Sequence, residues 1–154
     1  MRRLFLVVAL LGLVGCARSS SSDIAEPVSV VTLLGSQGSV HVQVEEANSP
    51  AEREQGLMGR TSLGKNDGMV FTFDDVADGP VTATFWMKDT QVPLSIAFWG
   101  ADGTILAIRD MEPCETDTCP TYGSPTPYVG ALEVNRGFFE EHGIREGDRI
   151  DFAR

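Results

Sequence analysis

Val28-Ser29-Val30-Val31-Thr32-Leu33-Leu34-Gly35-Ser36-Gln37-Gly38-Ser39-Val40-His41-Val42-Gln43-Val44-Glu45 is the stretch on which the fold turns. Its first half is rich in β-branched and apolar residues. In its second half Val40, Val42 and Val44 alternate with His41, Gln43 and Glu45. A period of two sends successive side chains to opposite faces of a strand, and Gly35 and Gly38 bracket a turn, so the two halves read as a hairpin with one buried face. His41 falls on the polar face, which makes it a solvated strand histidine rather than a catalytic one.

Working outward toward the C-terminus, Ser49 is placed to cap a helix, Pro50 suits its first turn, and Glu52 follows Ser49 by three residues and closes a capping box. Gly56 and Gly59 keep that helix short. Residues 69–73, 82–87, 94–99, 104–108, 128–134 and 149–152 read as further strands, with Asp102-Gly103 as a hairpin turn. Asn135 is positioned to cap a second short helix running through His142 and ending at Gly143. Strands outnumber helices, so the expected architecture is mainly β: an antiparallel sandwich or jelly-roll-like barrel with two short helical insertions.

Toward the N-terminus the chain carries an address. Arg2 and Arg3 precede an apolar run over residues 4–14, and Leu13-Val14-Gly15-Cys16 has the form of a lipoprotein cleavage site. The run is far short of the roughly 20 residues that span a bilayer. No Ala-x-Ala site precedes Cys16, which disfavours a plain secretory signal. The expected organisation is a signal peptide over residues 1–15, a lipidated Cys16 with a serine-rich spacer over 16–26, and a single β-rich domain over 27–154. Acyl chains on Cys16 would hold that domain to the cell membrane or outer membrane, outside the cytoplasm.

With 12 Lys and Arg against 22 Asp and Glu, the net charge is −10, which argues against nucleic acid and against adhesion to anionic lipid. Export leaves Cys114 and Cys119 where disulfides persist, in a polar loop ending at Pro120, and a bridge is the favoured reading. The rivals are a metal site, which wants a second close pair of Cys or His, and a redox couple, which wants a tighter Cys-x-x-Cys. His41 and His142 are isolated, so neither metal nor cofactor is expected. Asp74, Asp75 and Asp78 depart from the EF-hand spacing and read as a solvated turn. Ser62-Leu63-Gly64-Lys65 matches Ser-x-x-Lys without the partner motifs such enzymes need, and is treated as chance.

Several stretches stand out together: Arg53-Glu54-Gln55-Gly56-Leu57-Met58-Gly59-Arg60, Gly68-Met69-Val70-Phe71, Phe85-Trp86-Met87-Lys88-Asp89-Thr90, Val92-Pro93-Leu94, Ala131-Leu132-Glu133-Val134, and Gly143-Ile144 with Gly147-Asp148. In this order they resemble the bacterial and archaeal domain of unknown function 192, also called uncharacterised protein family 0127. The resemblance implies a jelly-roll-like β-sandwich, often exported, with no established reaction. It also implies Asn as the usual residue at Asp89, often Asp at Ser95, and a cysteine pair in only part of the family.

The densest chemistry lies at Trp86, Lys88, Asp89 and Thr90. In a strand, Phe85 and Met87 share one face while Trp86 and Lys88 share the other, so an aromatic plate stands beside a cation where a sugar ring stacks or an anion binds. The plainer reading places Trp86 in a second hydrophobic layer. Arg60 and Glu133 complete the candidate ligand-binding set. Glu133 projects opposite to Leu132 and Val134, and if half-buried it needs a cation such as Arg60 or Lys88. Tyr122 and Ser124 are candidates for the same rim. These readings point first to a non-catalytic, lipid-anchored binding module for an envelope ligand, with glycan as the class to test. The alternatives are a hydrolase-like enzyme with Asp89 and Glu133 as acid and base, or an accessory factor docking an envelope protein through Trp86, Phe138 and Phe139.

Overall fold

The computed structural model of the chain describes residues 29–76 and 79–153. The expected signal, the lipidated spacer and Asp78 lie outside these residues. β1 (Ser29–Gly35) and β2 (Gly38–Ala47) form the hairpin, with Ser29 opposite Val44 and Gly35 opposite Gly38. Val31, Leu33, Val42 and Val44 are buried, whereas His41 is exposed with its Nδ1 3.0 Å from Thr32 Oγ1 on the facing strand.

The hairpin joins a larger sheet with β3 (Asp67–Thr72), β5 (Leu94–Trp99), β6 (Ile105–Met111), β8 (Gly130–Asn135) and β9 (Arg149–Asp151). The order is β6-β5-β8-β3-β2-β1-β9, and a small second sheet pairs β4 (Phe85–Trp86) with β7 (Thr121–Tyr122). Within the large sheet β2 and β3 alone run parallel, because the helix α1 (Pro50–Gln55) and the loop after it form a crossover that returns the chain in the same direction. The two ends of the sheet meet. Ile105 N donates to Asp148 O at 2.8 Å and Ile150 N to Gly103 O at 2.8 Å, so the sheet curls into a barrel-like form. Gly103 holds φ +81° at that closure, a backbone conformation open to glycine.

The curl gives the sheet two buried faces. Inside lie Val31, Leu33, Val42, Val70, Ala97, Leu132 and Val134, plugged by Phe138 and Phe139 of the helix α2 (Phe138–Glu141). Outside, Met69, Phe71, Ile96, Phe98 and Ala131 are covered by Leu57, Met87 and Tyr128. Each fully buried Leu, Val or Phe contributes roughly 1.5–3 kcal/mol. Burial on both faces explains why β3, β5 and β8 read as continuous apolar runs rather than as alternating ones. Gly130 is forced by packing, since a Cβ there would stand 2.2 Å from the Trp99 ring.

The capping box forms as expected, with Ser49 Oγ accepting from Glu52 N at 3.3 Å and Glu52 Oε2 from Ser49 N at 2.9 Å. Two expectations change. The strand over residues 82–87 shortens to Phe85–Trp86, because Val81 bridges Tyr128 and the Tyr128 hydroxyl takes the Ala83 carbonyl at 2.8 Å. Asn135 does not cap α2. Its Nδ2 donates to the carbonyls of Leu63 (3.3 Å) and Gly64 (2.8 Å), while Gly137 stands at the cap with φ +79° and donates its N–H to Ser95 Oγ at 3.0 Å.

Candidate functional site

Glu133 lies in β8 with Met69 of β3 and Ile96 of β5 directly beside it. The two-residue period sends Leu132 and Val134 into the barrel, so Glu133 points into the outer apolar layer, where it is only 4% exposed. Burial pushes its carboxyl up to about 8, because the charged form is poorly solvated there. Among the described residues no side chain or backbone group hydrogen-bonds or ion-pairs with that carboxyl. Nor is it sealed in, since among the described residues no fully enclosed side-chain oxygen lacks a partner. Its remaining access is a narrow cleft.

The cleft has a volume of about 30 Å³ and runs from Glu133 between the end of α1 and the β4 segment. That is about the share of one molecule in liquid water. Its apolar walls are Leu57, Met58, Phe71 and Phe85, with the Phe71 and Phe85 rings edge to face at 4.9 Å. Trp86, 46% exposed, stands at the mouth, and Thr90 and Glu54 add polar groups. The second-layer reading of Trp86 is therefore not what the fold adopts. Arg53 also borders the cleft, but its guanidinium is occupied elsewhere. It donates to the carbonyls of Asn48 (2.9 Å) and Thr72 (2.7 Å), pairs with Asp75 at 2.8 Å, and lies 5.1 Å from the Phe73 ring centre. That guanidinium holds the Asp75 carboxyl below its ordinary value.

Of the residues singled out by sequence, Trp86, Thr90 and Glu133 come together here, and Arg60, Lys88 and Asp89 do not. The expected cationic partner for Glu133 is absent: Arg60 donates to Glu45 Oε1 at 2.6 Å, and Lys88 pairs with Asp117 at 3.1 Å. Asp89 is exposed with φ +53°, a region where Asp and Asn are the tolerated residues other than glycine. Its N–H donates to Cys114 O at 2.8 Å and its carbonyl accepts from Gly59 N at 2.9 Å, so its role is to shape the backbone. Tyr122 pairs with Phe85 in the small sheet and accepts from Glu112 N at 3.3 Å, away from the cleft, and Ser124 does not line it either. Phe138 and Phe139 are buried, which removes them from any docking surface.

Sequence reasoning missed Arg53, Met58, Phe71 and Phe85. The stretch from Arg53 to Arg60 had already stood out, yet only tertiary contact sets it against β8. Cys114 and Cys119 are bridged, with Cα atoms 5.9 Å apart. The bridge braces one side of the site, because Cys114 also exchanges backbone hydrogen bonds with Met87 and Asp89. Among the described residues no group of three or more His, Cys, Asp or Glu is arranged to hold a metal ion, and no helix is long and apolar enough to cross a membrane.

Comparison with known proteins places these features. No curated protein matches the chain. A solved structure of a protein of unknown function from Novosphingobium aromaticivorans superposes with a TM-score of 0.73 at 33% identity, covering 81% of this chain and 85% of that one. A protein from Sinorhizobium meliloti, provisionally described as a transcription regulator, gives a TM-score of 0.72 at 32% identity over 82% of this chain and 94% of that one. The profile of the DUF192 family, described as an uncharacterized ACR, matches residues 32–152, the whole of the curled sheet but for its first three residues, and on that ground the chain belongs to DUF192.

Proposed function

We propose that this DUF192 chain is a non-catalytic binding module, anchored outside the cytoplasm by lipid on Cys16, that engages an envelope ligand at the cleft over Glu133. One observation carries the reading: a buried carboxyl without a partner among the described residues borders a cleft with an exposed tryptophan at its mouth. Buried polar groups are nearly always satisfied, so a site of this kind suits a ligand donor. Glycan is the class to test first, because an exposed indole stacks a sugar face while one hydroxyl fits the water-sized cleft. The Cys114–Cys119 bridge agrees with an oxidising compartment. The acid–base alternative lacks support, because Asp89 is outside the cleft and committed to the turn.

The test is tryptophan emission of the full chain against a panel of envelope glycans. Trp99 is buried on the barrel side, so the response belongs to Trp86 and disappears in Trp86→Ala. Silence across the panel in a folded protein overturns the glycan class. Mature protein retaining its initiating methionine and an unmodified Cys16, by mass spectrometry, overturns the anchor.

A further inference from the structure

The cleft also says which end of a ligand it takes. We propose that it is a site for a primary ammonium group carried on an unbranched alkyl stem. This rests on the reading of the cleft as a ligand site and narrows the ligand. Three observations converge. Glu133 is a carboxyl more than nine-tenths buried, unpartnered among the described residues and open to the cleft. An uncharged hydroxyl offers it one donor, whereas an ammonium offers three and supplies the opposite charge that a buried carboxylate requires.

The walls are aromatic. Phe71, Phe85 and Trp86 line the cleft and supply apolar surface for an alkyl stem. The remaining charges point the same way. Arg53 and Glu54 are the charged residues beside Glu133 along the cleft; Arg53 is tied to Asp75 and to two carbonyls, which leaves Glu54 as the standing charge and Glu133 as the carboxyl that an entering cation can ionise. Size then selects the stem. A cleft of about 30 Å³ takes an ammonium head and no more, so the stem must leave past Trp86 at the mouth, which a methylene chain does with less crowding than a branched ring carbon, as in an amino sugar.

Calorimetric titration of the full chain with propylammonium, isosteric propanol and glucosamine is the direct test. Propylammonium is expected to bind at least tenfold more tightly than the other two, and Glu133→Gln to lose at least tenfold. The wild-type comparison of propylammonium with propanol decides even if the variant fails to fold. Equal binding of propanol, or full retention by a folded Glu133→Gln, overturns the assignment. Cadaverine and an Nα-acetyl-lysine amide then separate a free amine from a lysine-like side chain of an envelope peptide. An amine-free glycan that shifts Trp86 emission, with no response to any amine, overturns the ammonium site and leaves the ligand-site reading intact. Silence to both overturns both.

Discussion

Leu132 and Glu133 are neighbours in one strand and both buried, yet they live in different chemistries. The barrel side of β8 is closed, because the large sheet curls round it and α2 packs Phe138 and Phe139 in the same apolar cluster as Leu132 and Val134. The outer side is covered by a six-residue helix, a two-stranded ribbon and loops, which meet imperfectly over Glu133. A sheet that curls on itself packs Leu132 and Val134 against other apolar side chains. A patchwork cover leaves a seam, and a carboxyl persists where that seam admits a partner from solution.

The largest effect should come from moving the carboxyl across the strand. Leu132→Glu places it in the closed interior, at a cost of several kcal/mol against a total stability of about 5–15 kcal/mol, so most of the protein should be unfolded by circular dichroism. A cooperative native melt in that variant would break the distinction between the faces.

The second effect is the pH dependence of Glu133 itself. Its carboxyl lies near 8 when folded and near the ordinary 4.5 when unfolded, so between those values the folded state holds more protons. Stability should therefore fall as pH rises through that window, by roughly 4–5 kcal/mol, and level off above it. The lowered carboxyls of Asp75, Asp102 and Glu146 act oppositely but below that window, losing their contribution as pH drops through their depressed values. Denaturant unfolding from pH 5 to 8.5 should slope downward in the wild type and run flat in Glu133→Gln. Parallel curves would mean the carboxyl is ionised and solvated throughout.

A smaller effect sharpens the account of the cover. Replacing Cys114 and Cys119 with serine removes a short-loop constraint worth about 2 kcal/mol. Because Cys114 bonds the backbone of Met87 and Asp89, amide exchange should quicken first at residues 87–90 beside the cleft. Uniform quickening through the barrel would show that the two faces are not independent units.

Much of the fold was legible because its causes are local. The alternation of Val40, Val42 and Val44 placed the hairpin, and Ser49 with Glu52 placed α1. The continuous run from Leu94 to Trp99 was recognisable as a strand, although its burial on both faces was not. Asn135 was misread because a good capping residue also makes a good donor to distant carbonyls, and Leu63 and Gly64 won. Of the site, Trp86, Thr90 and Glu133 stood out as polar or aromatic groups in apolar company. Arg60 and Lys88 were drawn in as plausible cations for Glu133, but sequence holds no measure of which opposite charge lies nearer, and Glu45 and Asp117 took them.

By itself the sequence determined the β character of this chain, its turns, its first cap and the strand face on which Glu133 points, since each follows from spacing along a few residues. Tertiary structure alone decided that β2 and β3 run parallel, that the sheet closes on itself, and that Arg53, Phe71 and Trp86 gather around one unpaired carboxyl. Those outcomes depend on contacts between residues far apart in the chain, where packing and desolvation, rather than local periodicity, choose the partner.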